Sequence, residues 1–246
     1  MTVPMYLDGA SPDMPFIYVQ NPAGGLFPDD DLLVSLDVAS EGRVHLTTQS
    51  ATKVYAGDGA RALQRTQLKL GAGAYVEVMP DTLIPHAGAD VEQELSVELG
   101  EGAALVAADL VAAGRHIERE RFAYGRVRLT SSVADTEGTE LYVDALELEP
   151  ARHSPSARGV LGERAMFGTF TAVAPHLDAE RRDAAVDGEL ATEESVRAGA
   201  GVLPRESGVV ARILGQRAID ARRAIDRAWA IVRRELLGAP LPPRRK

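Results

Sequence analysis

The chain has no cysteine among its 246 residues, which excludes disulfide frameworks, thiolate metal centres and a cysteine nucleophile at once. Aromatic side chains supply only 5% of the sequence, so a core has to be built mainly from aliphatics. No apolar run approaches the roughly 20 residues that span a bilayer. The opening stretch MTVPMYLDGASPDMP lacks the basic and apolar regions of a secretion signal, and a cytoplasmic protein is the expectation. Nucleotide signatures are missing too. The glycines of NPAGG (21–25) and GAGA (71–74) are not followed by Lys and Ser/Thr, and they open no helical pattern. There is no G-x-S-x-G elbow.

Positive charge is scarce over most of the chain. Residues 211–246 hold ten Lys or Arg against three Asp or Glu, a local +7 within a net charge of −9, so the preceding 210 residues carry −16. An acidic body is a poor match for nucleic acid. The basic C-terminal part suits docking on other proteins.

What the sequence has in quantity is strands. From residue 32 to about 150, apolar and polar residues alternate in short runs such as LLVSLDVA (32–39), RVHLTTQS (43–50), LQRTQLKL (63–70) and VEQELSVEL (91–99). Further runs are ATKVY (51–55), AYVEVM (74–79), AALVAADLVAA (103–113), FAYGRVRLTSSV (122–133) and TELYVDALEL (139–148). Turn chemistry separates them at SEGR, AGDGA, GAGA, GEGA and DTEGT. Strands without interleaved helices predict an all-β sandwich, barrel or solenoid. G-x-x-A-x-L units recur without a fixed period, so they do not define a sequence repeat. Beyond residue 150, a Pro/Gly/Ser/Arg loop (151–165), a strand at 165–174 and a last strand at 206–215 are predicted. A short helix starts at Asp178, with Gly188 near its end, and a long amphipathic helix covers about 216–237. The apolar stripe of that helix is Ile225, Ala228, Trp229, Val232 and Leu236, with Trp229 as a core anchor and Gly238 as its C-terminal stop. Arg222, Arg223, Arg233 and Arg234 read as a solvated helix face, with a docking surface as the alternative. One domain is expected, with a β body over 1–175, a helix-containing part over 176–238 and a disordered basic tail over 239–246.

Candidate chemistry rests on carboxylates. Asp109 is the single ionisable group inside AALVAADLVAA, and such a charge is costly unless it is paired, hydrated or facing a water-filled space. Alternation along TELYVDALEL puts Asp144 on one side with Tyr142 and Leu146. It is either salt-bridged to an arginine or lines a polar cavity. Thr47, Thr48, Ser50 and Thr52 form a hydroxyl-rich strand pair that β propensity alone explains. His45, His86, His116, His153 and His176 are widely spaced, and each reads as a surface or turn residue rather than a ligand.

The segments NPAGGLFPDDDLL, LTTQSATKVY, GAYVEVMPDTLIPHAGA, LVAADLVAAGRHIERERFAYGRV and RAWAIVRRELLGAPLPPR resemble, in order and over about residues 17–243, the urease accessory protein UreD (UreH) family. The resemblance implies a mainly β, many-stranded, solenoid-like or sandwich-like body with two α-helices in the C-terminal half. It implies a non-enzymatic scaffold that helps insert nickel into apo-urease, together with a UreF-like accessory protein and a UreG-like GTPase. No tightly bound cofactor is implied, only transient nickel(II) on an internal passage. Carried over position by position, the polar path falls on Asp30, Thr52, Asp109 and Asp144. Carboxylate, hydroxyl and water hold nickel(II) less firmly than clustered imidazole or thiolate, and a passage has to release what it admits.

The chain departs from the family pattern in three places. Members usually carry further residues and early strands before the NPxGG turn, and without them an unpaired strand edge is expected. Ala87 follows His86 where members often have Asp. The acid of the G-E-x-F step is Glu120, preceded by Arg119. A rival reading is a β-solenoid polysaccharide enzyme using an acid/base pair from Asp29, Asp30 and Asp31, which requires two carboxyls about 5–10 Å apart across a cleft. A third is a pure binding module whose acids are solvated.

Overall fold

The computed structural model describes residues 3–115, 120–175, 178–192 and 194–242. Strand β1 (Phe16–Val19) precedes a chain that winds as a coil. The first turn of the coil comprises β2 (Asp31–Val38), β3 (Arg43–Thr48) and the short β4 (Thr52–Val54). The second repeats the path with β5 (Ala62–Leu70), β6 (Tyr75–Val78) and β7 (Leu83–Pro85), and the third with β8 (Asp90–Leu99) and β9 (Ala104–Ala112). Successive coils stack in parallel register, β2 on β5 on β8 and β3 on β6 on β9. Then β10 (Arg126–Asp135) adds in parallel to β8, and β11 (Glu140–Leu148) turns back antiparallel on it. β12 (Met166–Val173), β13 (Val196–Val202) and β14 (Gly208–Gly215) extend the other sheet antiparallel from β9. The result is a nine-stranded sheet facing a five-stranded one, a mainly β, solenoid-like body. Strands β1, β7 and β13 were not foreseen; β7 is three residues long and β13, VRAGAGV, holds two glycines that weaken its strand pattern.

The corners explain the coil. Turns at 39–42, 71–74 and 100–103 lie one above another, and Glu41, Gly73 and Gly102 share left-handed φ values of 61°, 67° and 66°. The Glu41 N–H donates to Ala72 O at 2.8 Å, and the Gly73 N–H donates to Glu101 O at 2.9 Å. Packing is tight enough that a Cβ on Gly100 would lie 2.6 Å from Leu70 O. The recurring glycine units are therefore the corners of successive coils. The four parallel strands of the five-stranded sheet start at residues 31, 62, 90 and 126, and this uneven coil length hides the repeat.

Both helices cover the outer face of the nine-stranded sheet. α1 (Ala179–Ala191) starts where the Asp178 side chain accepts from the Arg181 N–H at 2.9 Å, an N-cap that satisfies a free donor. α2 (Ala218–Leu237) ends at Gly238, whose φ of 64° gives a left-handed stop. Ala221, Ala224, Ile225, Ala228, Trp229 and Val232 of α2 are buried with Leu110, Phe170, Ala211 and Ile213 of the sheet. Two expectations for this region are corrected. Arg233 is fully buried rather than solvated, because it lies one helical turn beyond Trp229 on the inward stripe. The tail is not free from residue 239: Ala239 is buried and Pro240 O accepts from Arg233 Nε at 2.8 Å. Residues 243–246 of that tail lie outside the described residues. No helix among the described residues is long and apolar enough to cross a membrane.

Gly100→Val should lower stability by about 1–3 kcal/mol through overpacking at a stacked corner. Gly188→Ala on α1, where nothing lies within 4 Å, should raise it by about 1 kcal/mol. Thermal melts of the two variants test this opposition.

Candidate functional site

The space between the sheets is apolar at both ends, and between them polar side chains are interspersed among apolar ones such as Val34, Leu46 and Leu95. Val38, Val44, Leu70, Val76 and Leu105 belong to one apolar cluster, and Leu26, Val54, Leu83, Val91 and Leu129 to another. The intervening band is lined by Thr48, Gln64, Thr66, Gln93, Asp109 and Ser131. Gln93 Nε2 donates to Gln64 Oε1 at 2.5 Å across β5 and β8. Adjoining cavities run through the band. A recess of about 200 Å³ opens at the NPAGG turn and borders Asn21, Gly24, Thr48, Thr52 and Gln64. A pocket of about 30 Å³ shares those last three residues and reaches Asp81 and Asp109. Asp109 also borders a central cavity of about 80 Å³ and a void of about 10 Å³ under Tyr142, Thr169 and Thr171. The larger spaces can hold several waters, and the smallest about one.

Asp109 is walled in by protein, and the part of its surface that stays accessible faces these voids. No hydrogen-bond or ion-pair partner reaches its carboxylate among the described residues. Burial raises its pKa to about 6 and Asp144 adds to the rise, while Arg212 and Arg222 oppose it. In register, Asp109, Thr169 and Arg212 form one row across β9, β12 and β14. Opposite them, Ser131 pairs with Asp144 across β10 and β11. The salt-bridge alternative holds for Asp144: Arg212 Nη1 donates to Asp144 Oδ2 at 2.8 Å, and Arg212 Nη2 to Oδ1. Arg212 Nη1 also donates to Thr169 Oγ1 at 2.6 Å.

The remaining sequence candidates divide. Thr52 lines the recess and the pocket behind it, joining Asp109 to the surface. Asp30 lies elsewhere, just ahead of β2. Its Oδ2 accepts from the Phe27 N–H at 2.8 Å, and it lines none of these four cavities. Asp29 Oδ1 accepts from the Ala60 N–H at 2.9 Å, and Asp31 is held by Arg65. The aspartate triplet thus commits its carboxylates to separate partners, one within its own turn and two on the next coil, and no acid/base pair forms from it. Asp81, which the sequence reading passed over, joins the pocket wall. Its place after Pro80 in the connection between β6 and β7, two residues ahead of β7, was the available signal. Glu120 pairs with Arg115 and accepts from the Ala87 N–H at 3.3 Å. His116, His176 and Arg119 lie outside the described residues. No three His, Asp or Glu side chains are placed to hold one metal ion among the described residues.

A second polar cluster was not anticipated. Glu77 on β6 is fully buried, and it accepts from His45 Nδ1 and Tyr75 OH at 2.7 Å and from Trp229 Nε1 at 2.9 Å. Arg233 Nη1 adds an ion pair to Glu77, and Arg233 Nη2 another to Asp8. His45 is therefore neither a surface nor a turn residue; its ring stacks on Phe16 with centroids 4.3 Å apart. Burial pushes the Glu77 carboxyl up, but the His45 bond and the nearby positive charge more than offset this and hold it below its ordinary range.

Two stability effects follow. Between about pH 4 and 6 the folded state holds the Asp109 proton more tightly than the unfolded chain does, so Asp109 increasingly destabilises the fold as pH rises. Asp109→Asn should gain roughly 2–3 kcal/mol at pH 7–8 over wild type, an advantage that vanishes below about pH 4. Arg233→Met should lose about 3–5 kcal/mol by leaving Glu77 and Asp8 buried without their counter-charge. Denaturant titrations across pH check both.

Comparison with known proteins places the chain in a family. A family model described as "UreD urease accessory protein" matches residues 1–246. A urease accessory protein UreD of Haloarcula marismortui is 38% identical, covering 100% of this chain and 83% of its own. The "Urease accessory protein UreD 2" of Brucella suis is 31% identical over 97% of this chain and 80% of its own. The UreD of Photorhabdus laumondii is 29% identical over 97% and 75%. The chain belongs to the UreD family of urease accessory proteins.

Proposed function

We propose that the chain acts in the cytoplasm as a non-catalytic subunit that helps deliver nickel(II) to apo-urease, and that the string of cavities between its sheets carries the ion. The observation that supports this is Asp109, a partnerless enclosed carboxylate at the meeting point of three cavities. A carboxylate kept in so costly a position earns no stability for the fold, which points to use. The hydroxyls, amides and isolated carboxylates in the lining suit a hard or borderline divalent cation in transit, since no several-toothed site among the described residues traps it. Thr52 and Thr48 stand at the mouth, Asp81 and Asp109 follow, and Asp144 lies beyond. Asp30 contributes by fixing the turn that shapes the mouth. A UreF-like protein and a UreG-like GTPase are the assembly partners in this reading, with nucleotide hydrolysis on the GTPase.

The test is urease activation in cells that co-express the urease subunits and all accessory proteins. Asp109→Leu, which removes the carboxylate and fills the cavity junction, should abolish most activation while the variant still co-purifies with its UreF-like and UreG-like partners. Normal activation at normal protein level would sink the passage. Loss of partner binding together with activation would favour the pure binding module.

A further inference from the structure

The geometry points to Arg212 as the resident counter-ion of a two-carboxylate station formed by Asp109 and Asp144, which an advancing divalent cation has to displace. This rests on reading the cavities as a cation passage and concerns how that passage releases its ion.

The station lies beside the narrowest cavity, which Asp109 and Thr169 line while Asp144 and Arg212 stand just behind its wall. The void beyond Asp109 is about 10 Å³, and its walls include Ser131, Tyr142, Thr169 and Thr171. Its polar wall continues into the row Asp109, Thr169, Arg212, in which neighbouring strands stand about 4.8 Å apart. Arg212 is thus two strands from Asp109, on the same face of the sheet. From there it reaches across to the facing sheet, grips both oxygens of Asp144 and holds the Thr169 hydroxyl. The guanidinium therefore fills the place between Asp144 and the cavity wall where a cation would find carboxylate and hydroxyl oxygens. Asp109 feels the charges of both Asp144 and Arg212.

Two features make this arginine displaceable. Its side chain is 42% exposed and that of Asp144 23%, so the guanidinium has a route to solvent. It also lies 6.0 Å from the Phe167 ring centroid while it grips Asp144, a contact that can retain the guanidinium on the same side of the sheet once the carboxylate lets go. A resident positive charge beside two carboxylates weakens binding of an incoming cation, and in exchange the returning guanidinium drives the ion off. Arg212 acts through Asp144 and Asp109, as a positioning residue for the station. Arg222, which donates to Pro80 O and faces Asp81, provides positive charge on the opposite side of Asp109. It bonds to backbone at the pocket wall and does not span the two carboxylates.

Calorimetric titration of the whole 246-residue chain with nickel(II) alone tests the idea without urease. Arg212→Gln should bind nickel(II) at least about tenfold more tightly than wild type, equivalent to about 1.4 kcal/mol, and the gain should disappear in Arg212→Gln/Asp144→Asn. Arg212→Lys keeps the charge but cannot grip both carboxylate oxygens, so its affinity should fall between the two. An affinity of Arg212→Lys or of folded Arg212→Gln no tighter than wild type overturns the proposal, as does a gain that survives the Asp144 change. Comparing Arg212→Lys with wild type suffices should the Gln variant not fold. The outcome is separable from the passage itself. Flat affinities with loss of activation in Asp109→Leu reject the counter-ion alone, whereas tight binding in Arg212→Gln with normal activation in Asp109→Leu rejects the passage alone.

Discussion

The structure turns on one buried carboxylate. Glu77 accepts from His45, Tyr75, Trp229 and Arg233, and through Arg233 it is linked to Asp8 near the start of the chain and Pro240 near its end. A charge at zero exposure is tolerable only when every lone pair is met. Here that requirement sets the position of α2 on the nine-stranded sheet more sharply than apolar contact could, since aliphatic surfaces slide and a satisfied carboxylate does not. With α2 seated, the outer face of the sheet is sealed by Ile225, Trp229 and Val232. The polar residues of β9 and β12 then have only the space between the sheets to face.

Asp109 is the counterpart of Glu77. Both are carboxylates deep in the same sheet, yet their environments drive them in opposite directions. Glu77 is held ionised by donors on three elements, whereas Asp109 borders voids with no partner among the described residues and is raised to about 6. Dense donors lower a carboxyl, and burial without them raises it. The fold thus keeps one acid for architecture and another, at a cost in stability, beside a cavity string. Such a trade-off is common where function needs a poorly solvated group.

Much of this was legible in the residues, though unevenly. Asp109 stood out because ten apolar neighbours surround it in AALVAADLVAA, and polarity in such a run has few explanations. Asp144 could only be narrowed to an ion pair or a cavity, since its arginine is 68 residues away. The aspartate triplet looked like a cluster, but a strand start and a left-handed turn at Asp29 sent its three side chains to Ala60, Phe27 and Arg65. Glu77 and Arg233 were invisible as a pair. Glu77 alternates inside an ordinary strand pattern, and Arg233 beside Arg234 looked like one more solvated charge on a basic helix.

The sequence by itself determined most of the strands, their corners, the helix ends and the lack of any cysteine chemistry. These depend on side-chain alternation, glycine at left-handed positions, capping groups and composition, all of which act within a few residues. Tertiary structure alone decided which carboxylate is satisfied, which is paired and which is left facing a void. Those outcomes rest on contacts such as Glu77 with Arg233 and Asp144 with Arg212, 156 and 68 residues apart, and electrostatics in a low-dielectric interior depends on the neighbour that the fold supplies rather than on the neighbour in the chain.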